Sequence, residues 1–451
     1  MKKILYILIV LALATISCTK MLDVQPTASI STDQAIKDES GVNKAITGAY
    51  YSLHDVGNYG RNQVIVEDLA ADNLVWTGTT RDYLQIDENL IAADNGIIDG
   101  IWTSNYDCIN RVNNVLARID GIDMSTDKRN LYTGDALFLR ALSHFNLMCY
   151  FGGIPIKTQP TLDLSNINQA RNSVAEVYTQ VISDLLQAEK ILPASRSLGW
   201  ASSFSATALL ARVYLSQFQY TSDPAIAALA KAKADEVINN GGFTLAPAYA
   251  DLFNGNTTES IFEVIFDAQN YNRLAQYFFP VSLTGRYEVS PDSAFAHHFQ
   301  TTDTIRSNAS IAYDTTIVAS DTSYKPYGIK YKDVSGGTDR VYVLRLAEMY
   351  MIRAESQAYS NGNIEDIRSD INTLRQRAGL PVTTATTYDE LKQAIETERR
   401  HEFAFESQRW SDLVRTKRAT TVLGIDANHT LFPIPLSELQ TNTLMTQNPG
   451  Y

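Results

Sequence analysis

The stretch GDALFLRALSHFNLMCYFGGIPI, residues 134–156, decides the fold class of this chain. From Leu131 to Phe151 apolar residues recur at i, i+3 and i+4 spacing, the periodicity of a helix that packs against other elements. Gly152 and Gly153 follow at once and form a typical helix stop. The stretch therefore predicts a long helix over 131–151 whose apolar positions face a protein core.

The same periodicity extends over much of the chain on both sides of this helix. It predicts further helices over Val174–Leu192, Ser205–Gln219, Asp223–Asn240, Val341–Ser360, Ile364–Ala378 and Tyr388–Arg415. Small residues such as Ala354, Ala358 and Gly362 are spaced as in a tetratricopeptide unit, although the chain has no strict repeat period. We therefore predict a mainly α protein in which pairs of helices pack side by side.

A segment of different composition interrupts the helices. Residues 243–340 are rich in Thr, Ser, Asn, Gly, Tyr and Phe, and contain only short strand-like pieces, SIFEVIF (260–266) and YGIKYKDV (327–334). The tail, residues 431–451, is too rich in Pro for long elements. We predict an N-terminal helical part (18–242), a loop-rich insertion with short strands (243–340), and a C-terminal helical part with its tail (341–451). Binding residues usually lie on loops that a rigid scaffold carries.

Residues 1–17 have the layout of a secretory signal peptide. The chain starts with the basic MKK, continues with an apolar run from Ile4 to Ile16, and then has small residues before Cys18. This run of 13 residues is shorter than the about 20 that a membrane-spanning helix needs. TISC (15–18) is similar to a bacterial lipobox, with Thr in place of the usual Leu. We therefore predict that Cys18 is the lipidated first residue of the mature protein; an ordinary signal cleaved elsewhere is the alternative.

The composition is that of a globular protein large enough for a sizeable core. The 451-residue chain is 45% hydrophobic and 20% charged, and its formal net charge is −12. An acidic protein of this kind has no electrostatic basis for binding nucleic acid or anionic membrane surfaces, and its charge argues weakly against polyanionic glycans. Cys108 and Cys149 lack metal-ligand spacing, so we expect two buried free thiols, with a disulfide as the alternative.

Enzyme signatures are mostly absent from the chain. It has no G-x-S-x-G, no G-x-G-x-x-G, no Walker loop and no H-E-x-x-H. HEFAF, which starts at His401, lacks the second His of a zinc motif, and His297-His298, which we expect in a solvent-exposed loop, has no ligand-spaced carboxylate. We therefore expect neither a metal site nor a cofactor; Ca²⁺ on surface carboxylates stays open as an alternative, although the chain has no EF-hand spacing.

Carboxylates nevertheless cluster in two places, and glycoside hydrolysis uses a pair of them. VEDLAADN (66–73) contains Glu67 and Asp72, whereas residues 396–415 combine Glu and Asp with Arg at i, i+3 and i, i+4 spacing. The spaced pairs are Glu396 with Arg400, Glu406 with Arg409, and Arg409 with Asp412. This spacing predicts intrahelical ion pairs, each worth a few tenths of a kcal/mol when exposed. Carboxylates that converge from distant segments stay open as a second interpretation.

Aromatic residues in polar segments are better candidates for a binding site. Trp and Tyr rings can cover the flat apolar faces of sugars while their polar tips form hydrogen bonds. Trp76 and Tyr83 flank WTGTTRDY, which has no core periodicity, and Tyr271, Tyr277 and Tyr287 lie in the insertion. We predict these five as ligand-binding residues.

Three other aromatic residues have the spacing of a helix core. Trp102 precedes Tyr106 by one helical turn, and Trp410 lies among the apolar positions of a predicted helix. We expect all three to pack inside the protein.

Several segments, taken in order, resemble the SusD/RagB family of outer-membrane glycan-binding lipoproteins. They are Cys18 with MLDVQPT (21–27), AITGAYYSL (45–53), IWTSNYDCINRVNNVL (101–116), the opening stretch at 134–156, VLRLAEMYMIRAESQAY (343–359), ERRHEFAFESQRWSDLVR (398–415) and LFPIPLSELQTNTLMTQNPGY (431–451). No single motif is decisive, but their succession is specific and runs over nearly the whole chain.

The resemblance implies a SusD-like fold with four tetratricopeptide-like helix pairs as its scaffold. It also implies a lipid-anchored protein at the outer surface of the outer membrane, with a SusC-like TonB-dependent transporter as partner. In such pairs the lipoprotein forms a lid on the barrel and delivers oligosaccharide without cleaving it. Family ligand sites are aromatic arcs near the stretch that corresponds to 72–89 and in the large insertion, so Asp72 and Arg81 join the candidate ligand-binding residues.

The leading hypothesis is therefore a lipid-anchored glycan-binding protein that works with a TonB-dependent transporter. Two alternatives stay open at this point. The first is a protein of the same transporter type that binds peptides, and the second is an exported glycoside hydrolase that uses carboxylates such as Glu67 or Asp72.

Overall fold

The computed structural model describes residues 32–161, 167–255, 257–318 and 321–451. The predicted signal peptide and Cys18 lie outside the described residues. Within those four ranges, none of the helices combines the length and the apolar character that crossing a bilayer would require.

The described residues are mainly helical, with few short strands, as the sequence predicts. The helices are α1 (Thr32–Ala35), α2 (Glu39–Tyr51), α3 (Asn62–Leu69), α4 (Arg81–Asp87), α5 (Gly96–Leu116), α6 (Thr126–Phe151), α7 (Val174–Ile191), α8 (Ser203–Thr221), α9 (Pro224–Asn240), α10 (Leu274–Phe278), α11 (Ser293–Thr302), α12 (Thr304–Ser310), α13 (Leu346–Tyr359), α14 (Ile364–Arg377), α15 (Tyr388–Glu402), α16 (Arg409–Arg415), α17 (Ala419–Leu423) and α18 (Leu436–Thr441). The strands are β1 (Leu74–Trp76), β2 (Ser260–Val264), β3 (Val289–Pro291), β4 (Ile311–Val318), β5 (Asp321–Gly328) and β6 (Val341–Arg345).

Helix α6 contains the opening stretch and lies at the centre of the scaffold. Ser125 caps its first turn by accepting a hydrogen bond from the Lys128 amide, and the helix ends at Gly152, whose φ of +72° favours glycine. Residues 134–148 are all buried, because α2, α5, α7 and α8 pack around this helix. Arg140 inside this core is neutralised by Asp184 of α7, through two hydrogen bonds of 2.7 Å.

The remaining long helices continue the packing outward from α6. Helix α7 packs on α8, α8 on α9, α9 on α13, and α13 on α14 and α15. Neighbours in this row are mostly consecutive in the chain, so the predicted arrangement of helices packed side by side is confirmed. Trp102 and Trp410 are buried and Tyr106 is half-buried, while Cys108 and Cys149 are free thiols, of which only Cys108 is fully buried.

One predicted helix begins with a strand. We predicted a helix over Val341–Ser360, but Val341–Arg345 forms β6, which pairs antiparallel with β2, and the helix starts only at Leu346. The five residues VYVLR are all buried and contain two β-branched valines, which suit a strand covered on both faces. The strand-like piece at 327–334 is also shorter than predicted, because β5 ends at Gly328.

The predicted helix over Tyr388–Arg415 is interrupted between Glu402 and Arg409. Phe405 and Ser407 in this break have φ values of +65° and +63°, which a helix cannot contain. Phe405 is buried, and its amide donates to Asp68 of α3. Tertiary contacts therefore override the local helical pattern here.

The predicted ion pairs are replaced by others: Arg400 and Arg409 both pair with Asp72, and Asp412 pairs with Arg399 of α15 and, within α16, with Arg415. Glu406 belongs to a separate buried charge cluster, which consists of Arg306, Lys330, Arg345 and Arg377 with Glu259, Asp303, Glu398, Glu402 and Glu406. Arg345 is its centre, because its guanidinium contacts Glu259 and Glu402 at 2.6 Å and Glu406 at 2.7 Å. The cluster ties the insertion, β6 and the helices α12, α14 and α15 together.

The strands form three two-stranded antiparallel sheets, β1 with β3, β2 with β6, and β4 with β5. Strands β2 to β5 and the short helices α10 to α12 all belong to the segment 243–340. His297 and His298 are exposed as predicted, but they lie on α11 and not in a loop. The pairing of β1 with β3 joins this segment to the N-terminal helices.

Candidate functional site

The pairing of β1 with β3 brings the two candidate segments together. Trp76 lies opposite Val289 in this pair. Beyond the strands, the amides of Thr77 and Gly78 donate to the carbonyl of Glu288, and the Thr77 hydroxyl donates to the carbonyl of Tyr287. The polar stretch 76–83 and the insertion residues around 287 therefore form one surface.

Glu288 is the anchor of the loop at 77–80. Its buried carboxylate accepts the amides of Thr79 and Thr80 at 2.9 and 3.0 Å and the guanidinium of Arg286 at 2.9 Å. Burial acts to raise the pKa of this carboxyl, but these donors hold it below its usual value. Gly78 permits the contact, since a Cβ there would lie 2.2 Å from the Glu288 carboxylate.

Tyr83 and Tyr277 lie beneath this surface and not on it. The side chain of Tyr83 is 0% exposed and that of Tyr277 is 4% exposed, and their rings meet edge to face with centroids 6.0 Å apart. The Tyr83 hydroxyl donates to Asn62 at 2.9 Å, and burial raises the pKa of this phenol. The structure therefore places two of the predicted ligand-binding tyrosines in the core, where their rings pack against each other.

Three of the predicted aromatic residues remain available at the surface. Trp76 is half-buried; part of its ring is exposed, whereas its indole Nε1 is buried and has no hydrogen-bond partner among the described residues. Tyr271 is 49% exposed. Tyr287 is half-buried with a φ of +52°, and its hydroxyl donates to the carbonyl of Pro326 at 3.0 Å. A non-glycine residue in this region costs of order 1–3 kcal/mol, and such strain concentrates at ligand clamps and active sites.

Arginines surround these aromatic residues. Arg61 lies over the Tyr277 ring at 4.3 Å, and Arg286 lies 5.0 Å from the centroid of the same ring. Arg273 lies 5.0 Å from the centroid of the Tyr271 ring and donates to its hydroxyl at 3.0 Å. Arg81 begins α4 and is exposed. We call this surface the aromatic face; it comprises Trp76, Tyr271 and Tyr287 with Arg61, Arg81, Arg273 and Arg286.

Asp72 lies outside the aromatic face, in a structural ion pair. Its carboxylate contacts Arg409 at 2.6 Å and Arg400 at 3.1 Å. Burial acts to raise the pKa of Asp72, but the hydrogen bond and charge of Arg409 bring it below its usual value. A carboxylate held by two arginines is poorly placed to accept ligand hydroxyl groups, so the structure gives Asp72 a scaffold role.

The other carboxylates of VEDLAADN are also engaged inside the protein. Glu67 is 3% exposed and accepts both the amide and the hydroxyl of Ser411, at 2.8 and 2.7 Å. Burial raises its pKa to about 7. Asp68 accepts from Asn73 and from the amide of Phe405. Because each carboxylate holds the C-terminal segment in place, their arrangement is not that of the two accessible carboxyl groups that a glycoside hydrolase needs.

A cavity of about 350 Å³ lies elsewhere, between α6, α8 and α16, and Glu67 forms part of its wall. Its charged walls are largely paired with each other, as Arg212 is with Glu348 at 2.6 Å and Arg415 with Asp412 at 2.7 Å. The aromatic face is the stronger candidate, since its rings and guanidinium groups have few partners in the protein.

Sequence reasoning missed three arginines of the aromatic face, although a local signal exists. Each of them stands within two positions of a tyrosine, in YGR (59–61), YNR (271–273) and RY (286–287). Arg81, which was predicted, has the same relation to a tyrosine in RDY (81–83). The signal could have identified Arg61, Arg273 and Arg286 as well.

Two family models match adjacent parts of the chain, which together span residues 20–430. One, described as "Starch-binding associating with outer membrane" (SusD-like_3), matches residues 20–215, and the other, "SusD family" (SusD_RagB), matches residues 216–430. The chain is also 27% identical to SusD-like protein P2 of Formosa agariphila, over an alignment of 513 positions that covers 100% of both chains.

Solved structures share the fold. A SusD superfamily protein from Bacteroides vulgatus has a TM-score of 0.82 at 22% identity, covering 92% of this chain and 99% of that one. A laminarin-binding SusD-like protein has a TM-score of 0.80 at 24% identity, covering 92% of this chain and 100% of that one.

Proposed function

Because the chain belongs to the SusD/RagB family, an outer-membrane-associated family of glycan-binding proteins, we propose that its aromatic face captures oligosaccharide without cleaving it. The observation that carries the proposal is the pairing of β1 with β3, which brings the partly exposed Trp76 and Tyr287 together from two distant segments. Trp76 packs against the core with part of its ring, and its indole Nε1 is buried without a partner in the described residues. The remaining part of the ring is exposed, and a sugar face would cover it.

The fold of this site supports binding over catalysis. The carboxylates that precede β1 in VEDLAADN, Glu67, Asp68 and Asp72, are all engaged with the C-terminal segment. Glu288, which lies next to the aromatic face, accepts hydrogen bonds from two backbone amides and from Arg286. The similarity in fold to a laminarin-binding protein agrees with a glycan as the ligand.

The test is affinity electrophoresis of the purified protein in gels that contain single polysaccharides. We expect retardation by at least one polysaccharide class, and Trp76→Ala should remove most of it, since a stacking ring contributes about 1–3 kcal/mol by analogy with stacking on bases. Tyr220→Ala, at an exposed tyrosine on α8, is the matched control and should leave retardation unchanged.

Two further outcomes would count against the proposal. A fall of many degrees in the melting temperature of Trp76→Ala would make the residue part of the core. Retention of peptide pools, with no retardation by any glycan, would favour a peptide as the cargo.

We also infer that Cys18 carries the lipid anchor and that a SusC-like TonB-dependent transporter receives the ligand. Two or more acyl chains would hold the protein stably on a membrane. Cys18→Ala should move the protein from the membrane fraction to the supernatant, and sedimentation of this variant with membranes would refute the anchor. Co-purification of the transporter with the wild-type protein in mild detergent tests the partnership.

A further inference from the structure

The four arginines of the aromatic face differ from other arginines of the protein in their partners. Arg61 donates to Asn62 and to the hydroxyl of Tyr277, and Arg273 donates to Gln276 and to the hydroxyl of Tyr271. All of these acceptors are neutral. In the described ranges, neither of these arginines nor Arg81 forms an ion pair with a carboxylate, and Arg286 forms one, with Glu288.

The carboxylates close to these arginines accept hydrogen bonds from backbone amides. Glu288 is occupied by the amides of Thr79 and Thr80 in addition to Arg286. Asp82 accepts the amide of Gly96 at 3.0 Å, at the start of α5. Asp87 accepts the amide of Trp76 at 3.0 Å. These three carboxylates keep their negative charge in such contacts, and the four arginines of the aromatic face outnumber them by one, on a chain whose formal net charge is −12. Such an excess raises the local concentration of anions and steers them to the surface.

The aromatic rings hold the guanidinium groups in a suitable way for anion binding. An arginine that stacks on a ring uses its flat surface for the contact and keeps N–H donors at its edge. These donors form a planar fork that matches the two oxygens of a carboxylate or sulfate group. Arg61 and Arg286 lie over Tyr277, and Arg273 lies over Tyr271. Each of them also donates to a protein acceptor, so these contacts hold three guanidinium groups in place.

We propose that the ligand of the aromatic face is an anionic glycan, whose uronate carboxylates or sulfate esters bind Arg61, Arg81, Arg273 and Arg286 while its sugar rings cover Trp76 and Tyr271. The inference deepens the proposed function and rests on it. It reverses the expectation from net charge alone, because the charge that a ligand meets is that of the binding surface and not that of the whole chain.

The experiment compares three gels in affinity electrophoresis, which contain polygalacturonate, carrageenan or laminarin. These polymers carry carboxylates, sulfate esters and no charge, respectively. We expect retardation by polygalacturonate or carrageenan, and a several-fold weaker effect when the salt concentration is raised from 0.05 to 0.5 M. Which of the two gels retards the protein distinguishes carboxylate from sulfate recognition.

Variants test whether the arginines are responsible. Arg273→Gln and Arg286→Gln should each weaken retardation about tenfold, as expected for the loss of one charge-assisted hydrogen bond. Arg273→Lys keeps the charge but not the fork, so its loss should be smaller. Arg111→Gln, at an exposed arginine of the scaffold helix α5, is the matched control and should bind as the wild type does. Arg81→Gln is a further test of the arginines. Because the Arg81 side chain is exposed, this variant should fold even if another one does not.

The outcomes separate this inference from the proposed function. Retardation by laminarin alone, lost in Trp76→Ala, would overturn the anionic ligand and keep the glycan-binding function. Retardation by none of the three polymers and by no other polysaccharide would overturn both. Binding of an anionic polymer that is unchanged in Arg273→Gln, Arg286→Gln and Arg81→Gln would also refute the assignment.

Discussion

The buried charge cluster and the aromatic face both depend on arginine, and they use it in opposite ways. In the cluster, Arg345 and Arg306 each contact three carboxylates, which neutralise the positive charge inside the protein. On the aromatic face, Arg61 and Arg273 contact only rings and neutral oxygens. The difference teaches that the partners of an arginine, and not its presence in the sequence, indicate whether it is structural or available to a ligand.

Removal of a cluster arginine should have the largest effect. Arg345→Met leaves Glu259, Glu402 and Glu406 without their shared partner in the interior, and breaking a buried ion pair in this way costs about 3–5 kcal/mol. Urea unfolding of the variant and the wild type measures this loss of stability. Arg81→Met, the control on the aromatic face, removes an exposed side chain that has no ion-pair partner in the described ranges, and it should change the free energy of unfolding by less than about 0.5 kcal/mol. Equal losses in the two variants would show that the comparison does not hold.

A second prediction concerns two buried carboxyl groups that differ in their arginine partners. Burial acts to raise the pKa of Asp412, but Arg399 and Arg415 lower it to about 2. Burial raises the pKa of Glu67, which has no ion-pair partner in the described ranges, to about 7. The pKa of Glu67 is higher in the folded protein than in the unfolded chain, so protonation of Glu67 favours folding. This stabilisation is fully present below about pH 4, and it is lost as the pH rises to about 7. The loss is of order 3 kcal/mol.

Urea unfolding at pH 5 and pH 8 tests this difference. The wild type should lose stability between the two values, and Glu67→Gln should lose distinctly less. Some slope should remain, since burial also raises the pKa of Asp68 to about 6. An identical slope in the variant would mean that Glu67 titrates as an ordinary carboxyl group does.

The sequence predicted the scaffold well, because apolar periodicity is a local property and α6 to α9 depend on it. It failed between Glu402 and Arg409, where the pattern still suits a helix but Phe405 enters the core and its amide binds Asp68. The candidate aromatic residues show the same limit. Composition identified Trp76, Tyr83 and Tyr277 together, and only the pairing of distant strands decides which ring is exposed.

The smallest expected effect separates the buried tyrosines from the exposed ones. Tyr83→Phe removes the hydrogen bond to Asn62 and should lower stability by about 1 kcal/mol, with no change in glycan binding. Tyr271→Ala should weaken glycan binding and leave the melting temperature close to that of the wild type, because its ring is half exposed. Thermal unfolding and affinity electrophoresis of both variants check this pair, and reversed results would move Tyr83 to the binding surface.

The pairing of β1 with β3 has a consequence for the order in which the protein folds. Trp76 and Val289 are opposite each other in the sheet, but the helices α4 to α10 separate them along the chain. Closing such a long loop costs conformational entropy, which the packed helices between the two strands must first offset. We therefore expect the surface that carries Trp76 to assemble late, after the scaffold, so that a partly folded chain does not display it. The capacity to hold a ligand then reports that the whole protein has reached its native state.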